Sequence, residues 1–168
     1  MTIVVKADPR LDLTSEDYLA QAEALNRLQD LLSQTHEMIN DNEAILDQLD
    51  ASKRRVALKE DADDKLIMAQ IEQAMAAVTE LQNELLRPPP SMTYRQRPRL
   101  REEIRSLMFA IGGATAKPSS PQSERIAQLQ EETRMAMTVL ERIINTDIEK
   151  LNSQLMNLPP IEARPVKP

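Results

Sequence analysis

The feature that most constrains this sequence is a long series of apolar residues spaced three and four positions apart. Spacing of this kind places side chains on one face of an α-helix. The first such seam continues to about Leu58, and its members are Leu25, Leu28, Leu32, Ile39, Leu46, Leu49 and Val56. Beside it, Leu31, Met38 and Ile45 form a second stripe. The combined apolar face is broader than a two-stranded coiled coil requires, so this helix is expected to contact two neighbours.

Proline and glycine divide the rest of the chain into three further helices. Three successive prolines, Pro88 to Pro90, cannot continue a helix and are predicted to end the second one. A third, shorter helix is predicted to begin near Pro98. It is expected to end with a glycine in the left-handed conformation, at Gly112-Gly113.

The lengths of the helices constrain how they pack. The fourth helix is predicted to begin with Ser120 as its N-cap and Pro121 in its first position, and to end at Pro159. At about 1.5 Å per residue, the outer helices are about 65 Å and 57 Å long and the middle two about 39 Å and 22 Å. Laid end to end, the middle helices therefore match either outer one.

The fold class predicted from these lengths is all-α. It is an antiparallel helical bundle of three long legs, whose middle leg is broken at Pro88–Pro90, and the alternative is a four-helix up-down bundle. The predicted core residues are Leu28, Leu32, Ile39, Ile71, Val78, Leu140, Ile144 and Leu151.

Composition supports this fold and narrows the function. Aromatic residues make up only 2% of the chain and there are two glycines, whereas sheet proteins use both freely. The net charge of −6 works against general nucleic-acid affinity, so a nucleic-acid partner is not expected. The absence of cysteine excludes thiol catalysis and cysteine-ligated metals. No apolar run approaches the roughly 20 residues of a membrane span.

The chain is predicted to contain one domain with two appendages. Residues 1–13 include a short strand at 2–6 that lacks partners, and we interpret them as the remnant of a preceding domain, with a disordered terminus as the alternative. Residues 14–158 are the helical bundle. Residues 159–168 are rich in proline and lack apolar periodicity, so they are expected to form an extended, mobile tail.

Few residues suggest chemistry. His36 is the single histidine, and it has no second histidine at ligand spacing. Phosphate-binding loops and hydrolase motifs are absent from the sequence. We therefore predict no catalytic, cofactor-binding or metal-binding residue, and no enzyme activity. Two polar residues in the first seam, Thr35 and Asn42, are either tolerated at a bundle edge or form contacts that set the register.

One group of residues is a candidate for partner binding. It combines an aromatic side chain with four arginines, namely Tyr94, Arg95, Arg97, Arg99 and Arg101. Arginines beside an aromatic residue can hold a phosphate backbone or a carboxylate-rich partner. The alternative is a solvated connector whose arginines pair with nearby acids such as Glu102 and Glu103.

Two stretches of the chain resemble a known family. One is VVKADPR at residues 4–10, and the other is RQRPRLREEIRSL at residues 95–107. They resemble the C-terminal region of large bacterial sortilin-like, BNR-repeat β-propeller proteins, often labelled glycosyl hydrolases or sialidase-like. The resemblance implies that the strand closes a small sandwich domain after the propeller and that the protein is secreted or periplasmic. It transfers no catalytic residue, because the tryptophan-containing Asp-box pattern of the propeller is absent from this sequence.

The function predicted from the sequence is a non-catalytic helical-bundle scaffold or interaction module, the C-terminal part of a larger exported β-propeller protein. Its expected partners are other domains of the same parent chain or another protein, and no cofactor is expected. One alternative is a coiled-coil-like module that self-associates into a homo-oligomer. The other is a polyanion-binding module that uses the connector between Arg95 and Arg101.

Overall fold

The computed structural model describes residues 13–58, 62–88, 96–155 and 159–164. Its α-helices are α1 (Ser15–Val56), α2 (Ala62–Leu85), α3 (Leu100–Gly112), α4 (Ser120–Arg142) and α5 (Glu149–Gln154). A π-helical segment, Ile143–Ile148, joins α4 to α5 without a break, so the three form one rod. The described ranges contain no strand, and the strand predicted at residues 2–6 lies outside them.

The helices form three legs that run up, down and up. α2 lies antiparallel to the C-terminal half of α1, where Lys53 Nζ is 2.9 Å from Glu72 Oε1 and Gln82 Nε2 is 3.4 Å from Glu43 Oε1. α3 continues in the same direction along the N-terminal half of α1, where Gln21 reaches its last turn. α4 then returns, and its rod packs against α1, α2 and α3. The predicted all-α bundle with a broken middle leg is confirmed.

Capping boxes begin the first and third legs. The Asp17 backbone N–H donates to Thr14 Oγ1 (3.2 Å), and the Thr14 N–H donates to Asp17 Oδ2 (2.9 Å). The hydrogen bonds from Thr14 lower the pKa of the Asp17 carboxyl, because they favour its charged form. Ser119 and Gln122 form the same arrangement at the start of α4. The prediction of Ser120 as N-cap was therefore wrong by one residue, since Gln122 completes a capping box only with Ser119.

The buried face of α1 is displaced from the predicted seam. Its buried positions include a strict alternation of three and four residues, formed by Leu28, Leu31, Thr35, Met38, Asn42, Ile45, Leu49, Ser52 and Val56. Leu32, which was predicted as core, is only half-buried and lies at the margin of this face. The prediction followed the large aliphatic side chains, whereas the true seam is a heptad pattern that includes three polar residues. The other predicted core residues, apart from Ile144, are confirmed as buried.

The π-helical segment decides which isoleucine enters the core of the third leg. π-helical turns close hydrogen bonds from residue i to i+5, so they accommodate one extra residue. Ile143 and Ile148, five positions apart, are 0% and 2% exposed. Ile144 was predicted as core but is only half-buried. Ile143 and Ile144 are adjacent, and only one of them can occupy this seam position. In the wider π-helical turn it is Ile143.

α3 ends without the predicted left-handed glycine. Its C-cap residue, Gly113, has φ −81°, and neither glycine has a positive φ. Instead, Gln21 Nε2 donates hydrogen bonds to the carbonyls of Ile111 (2.7 Å) and Ala114 (2.6 Å). Because a side chain from α1 satisfies carbonyls at this helix end, the chain does not need a left-handed cap there.

Two polar residues of the α1 seam are fully buried. Thr35 is 0% exposed, and its hydroxyl donates to the carbonyl of Leu31 (2.8 Å). Asn42 is also 0% exposed, but its Oδ1 and Nδ2 atoms have no hydrogen-bond partner among the described residues. The interpretation that these residues sit at a bundle edge was therefore wrong. A buried amide without partners costs stability, so Asn42 offsets part of the stabilisation that the surrounding apolar residues provide.

The π-helical register generates the first prediction. We expect Ile143→Asp to lower the free energy of unfolding by at least about 4 kcal/mol, because it places an unpaired charge in the core. Ile144→Asp is the matched control, and we expect it to cost only about 1–2 kcal/mol. Urea unfolding followed by circular dichroism measures both. A larger loss for the Ile144 variant would contradict the π-helical register.

The unpaired amide generates the second prediction. Leucine has the same branched shape as asparagine, so we expect Asn42→Leu to raise the free energy of unfolding by about 1–3 kcal/mol. The control is Asn40→Leu on the exposed face of α1, for which we expect a change below about 0.5 kcal/mol. Denaturant titrations of the two variants and the parent make the comparison. If Asn42→Leu were destabilising, the amide would have partners that stabilise it.

Candidate functional site

The structure describes three residues of the predicted arginine group, which are Arg97, Arg99 and Arg101. Tyr94 and Arg95 lie outside the described residues, and Arg97 and Arg99 are exposed just before α3. Arg101 is half-buried and pairs with the acidic residue that follows it in the sequence. The role of this group in partner binding therefore stays a prediction.

Glu102 connects the two helices on either side of the break in the middle leg. Its Oε2 atom accepts hydrogen bonds from the backbone N–H of Arg87, just after α2, and from the N–H of Arg99, just before α3, both at 3.1 Å. Its Oε1 atom accepts a hydrogen bond from Arg101 Nε (3.0 Å). One carboxylate thus joins the end of α2 to the start of α3.

A second carboxylate ties the start of α3 to the third leg. Glu103 pairs with Arg125 of α4, and Arg125 Nη1 also lies 2.7 Å from Glu132 Oε1. Hydrogen bonds to these two glutamates raise the pKa of the Arg125 guanidinium, and Glu132 has the larger effect. These acids stabilise the structure at the break.

An open cleft of about 830 Å³ lies between α1 and α3. Leu32 and Met108 contribute apolar surface to it, and Phe109 stands at its side with 84% of its surface exposed. Arg105 adds a positive charge to the lining. No described segment of the chain covers this cleft. The groove that holds a bound segment is elsewhere in the bundle, between α1 and α5.

Residues 159–164, which we call the tail, lie in that groove. Their exposure alternates: Ile161 is 3% exposed and Ala163 is half-buried, whereas Glu162 and Arg164 are exposed. Such alternation is typical of an extended chain with one face against the protein. The expectation of a mobile tail does not fit residues 159–164, because Ile161 belongs to the hydrophobic core, and residues 165–168 lie outside the described part of the chain.

Two amide side chains hold the tail by its backbone. Asn152 of α5 accepts from the N–H of Ile161 (2.7 Å) and donates to its carbonyl (2.9 Å). Gln48 of α1 accepts from the N–H of Glu162 (2.7 Å) and donates to its carbonyl (2.9 Å). In an extended chain, successive residues direct their N–H and C=O groups to opposite sides. One helix therefore binds each side of the tail, as neighbouring strands would in a sheet.

The helix itself helps to orient the Gln48 amide. Besides its bond to the tail, Gln48 Nε2 donates to the carbonyl of Ala44 one turn earlier in α1 (3.0 Å). This second bond uses an atom of α1 and does not involve the tail. The Gln48 side chain is therefore bonded to its own helix as well as to the tail.

The far end of the groove is acidic. Asp41 is two turns before Gln48 on α1, its side chain is 16% exposed, and its Oδ1 atom is 3.8 Å from Arg164 Nε. Burial raises the pKa of the Asp41 carboxyl, Arg164 opposes this shift, and the charge of Glu37 adds to it. We call Asp41, Gln48 and Asn152, together with the apolar site of Ile161, the tail groove.

Sequence reasoning missed the tail groove. The signal was present, because Ile161 and Ala163 alternate with Glu162 and Arg164. Four residues are too short a run for periodicity to stand out among prolines. The pairing with Gln48 joins positions 114 residues apart, which no local pattern reports.

Other chemistry is sparse in the described part of the chain. His36 is exposed on α1. The described residues contain no group of three or more His, Cys, Asp or Glu side chains placed to hold a metal ion. None of the described helices combines the length and the apolar character needed to span a membrane.

Comparisons with known proteins found no relative. No protein-family model matches the chain, and neither the curated proteins nor the solved structures include a match. The resemblance to propeller proteins therefore stays a prediction that depends on its two short stretches.

The hydrogen bonds of Glu102 across the break generate the third prediction. We expect Glu102→Ala to lower the free energy of unfolding by about 1–2 kcal/mol, because two backbone N–H groups lose their acceptor. Glu124→Ala, on the exposed face of α4, is the control and should change it by less than about 0.5 kcal/mol. Thermal and urea unfolding measure both variants. Equal stabilities would contradict the role given to Glu102.

Proposed function

We propose that this chain is a non-catalytic helical-bundle module that binds an extended segment of polypeptide in the tail groove. The observation that carries the proposal is the pair of amides, Gln48 and Asn152, each of which binds both backbone groups of one tail residue. Main-chain hydrogen bonds supply affinity in the modes by which proteins recognise extended peptides, and side-chain pockets supply specificity. The tail groove contains both elements.

The rod shape suits a scaffold role. A helix of 42 residues is about 63 Å long, so the module can hold a segment near one end while its other surfaces contact different parts of an assembly. In the larger exported protein that the propeller resemblance implies, the module would follow the propeller. It would link that domain to another part of the parent chain or to another protein.

The fourth prediction is that the tail groove binds a separate peptide once the chain's own tail is displaced. The receptor is the full chain with Ile161→Asp, in which a charge expels the tail from its apolar site. The probe is a fluorescent peptide of residues 159–168 with the natural sequence. We expect weak, saturable binding to the variant by fluorescence anisotropy. The unchanged chain should not bind it measurably, because its own tail is present at an effective concentration on the order of millimolar.

Two peptide variants provide the matched control for backbone recognition. Glu162→Ala should bind like the natural peptide, since the tail uses only the backbone of this residue. Glu162→Pro should not bind, because proline lacks the N–H that Gln48 accepts. A receptor that melts cooperatively but binds no peptide would contradict the proposal, and so would equal binding of these two peptides. If Ile161→Asp disturbs the fold, Ile161→Ser serves as the second releasing variant.

A further inference from the structure

The tail groove carries more information than a general affinity for extended chains, because three of its contacts depend on side chains of the bound segment. Ile161 is buried in the core, and Ala163 is half-buried two positions later on the same face. The next residue, Arg164, faces the carboxylate of Asp41. The bound segment thus presents an aliphatic residue, a small apolar residue and a basic residue at positions one, three and four.

The basic residue of the tail, Arg164, makes only a loose contact with Asp41. The Arg164 side chain is 83% exposed, and its Nε atom is 3.8 Å from the Asp41 carboxylate, beyond hydrogen-bond distance. Asp41 is nevertheless largely removed from solvent, and Arg164 is the cation that lies within 4 Å of it in the described part of the chain. A partly buried carboxylate gains most from a cation that hydrogen-bonds to it. A segment that places its basic group closer to Asp41 would therefore bind more tightly than the tail does.

We propose, building on the proposed function, that the ligand of the tail groove is a segment of a partner protein with the pattern aliphatic, any residue, small apolar, then arginine or lysine. The chain's own residues 161–164 are a weaker copy of that ligand. They keep the apolar site covered until the partner displaces them. Specificity comes from charge as well as shape, because Asp41 and Glu37 are both acidic and lie one turn apart on α1.

Substitutions that reverse the charge of the groove and of the peptide test this inference. The receptors are the full chain with Ile161→Asp and the same chain with Asp41→Lys added. The peptides span residues 159–168 and carry the natural Arg164, Arg164→Lys or Arg164→Glu. We expect Arg164→Glu to weaken binding to the first receptor about tenfold, since its carboxylate would face that of Asp41, and Arg164→Lys to change it about twofold or less. On the Asp41→Lys receptor, the preference for Arg164 over Arg164→Glu should be reversed.

The outcomes separate the two proposals. If the natural peptide and Arg164→Glu bind the first receptor equally, the ligand pattern is wrong although the groove still binds peptides. If no peptide binds a folded receptor, the proposed function fails as well. A dimer of the unchanged chain in sedimentation experiments that is lost with Ile161→Asp would identify the tail of a second copy as the ligand, and would overturn the assignment to a partner protein. If Asp41→Lys prevents folding, Asp41→Asn should narrow the difference between the natural peptide and Arg164→Glu, and an unchanged difference would overturn the role of Asp41.

Discussion

Burial of the heptad seam of α1 is the interaction on which the rest of the structure depends. This helix is 42 residues long, and α2 has only 24, so one antiparallel neighbour cannot cover it. α2 and α3 therefore lie in series along it, and the third leg closes the remaining side. The hydrophobic effect stabilises this arrangement in proportion to the apolar area removed from water. The break that it requires is in turn stabilised by Glu102, whose carboxylate accepts from backbone groups on both sides.

The bundle departs from ideal packing at two points. Asn42 occupies a fully buried seam position without hydrogen-bond partners in the described part of the protein. The π-helical segment Ile143–Ile148 inserts a residue into the third leg. The π-helical segment brings Ile148 and Leu151 back into the seam after the insertion.

The sequence predicted the parts of the fold that depend on local patterns. Proline positions and apolar spacing were sufficient for the number of helices, their order and the broken middle leg. They were not sufficient where two residues compete for one position, as Leu31 and Leu32 or Ile143 and Ile144 do, because neighbouring legs decide between them. For the candidate site, the sequence contained only the short alternation at residues 161–164, and the site itself depends on Gln48 meeting Glu162 across 114 residues. Hydrogen bonds between a side chain and a distant backbone leave no periodic signal.

The tail groove solves a problem that helices pose for peptide binding. A sheet edge offers unpaired N–H and C=O groups to an extended chain, but an α-helix uses its own backbone groups internally. Amide side chains replace what the helices lack, because one amide has both a donor and an acceptor. With Gln48 on α1 and Asn152 on α5, two helices act as two strand edges. Because these hydrogen bonds use only the backbone of the tail, the side-chain contacts of the groove are the apolar site of Ile161 and the carboxylate of Asp41.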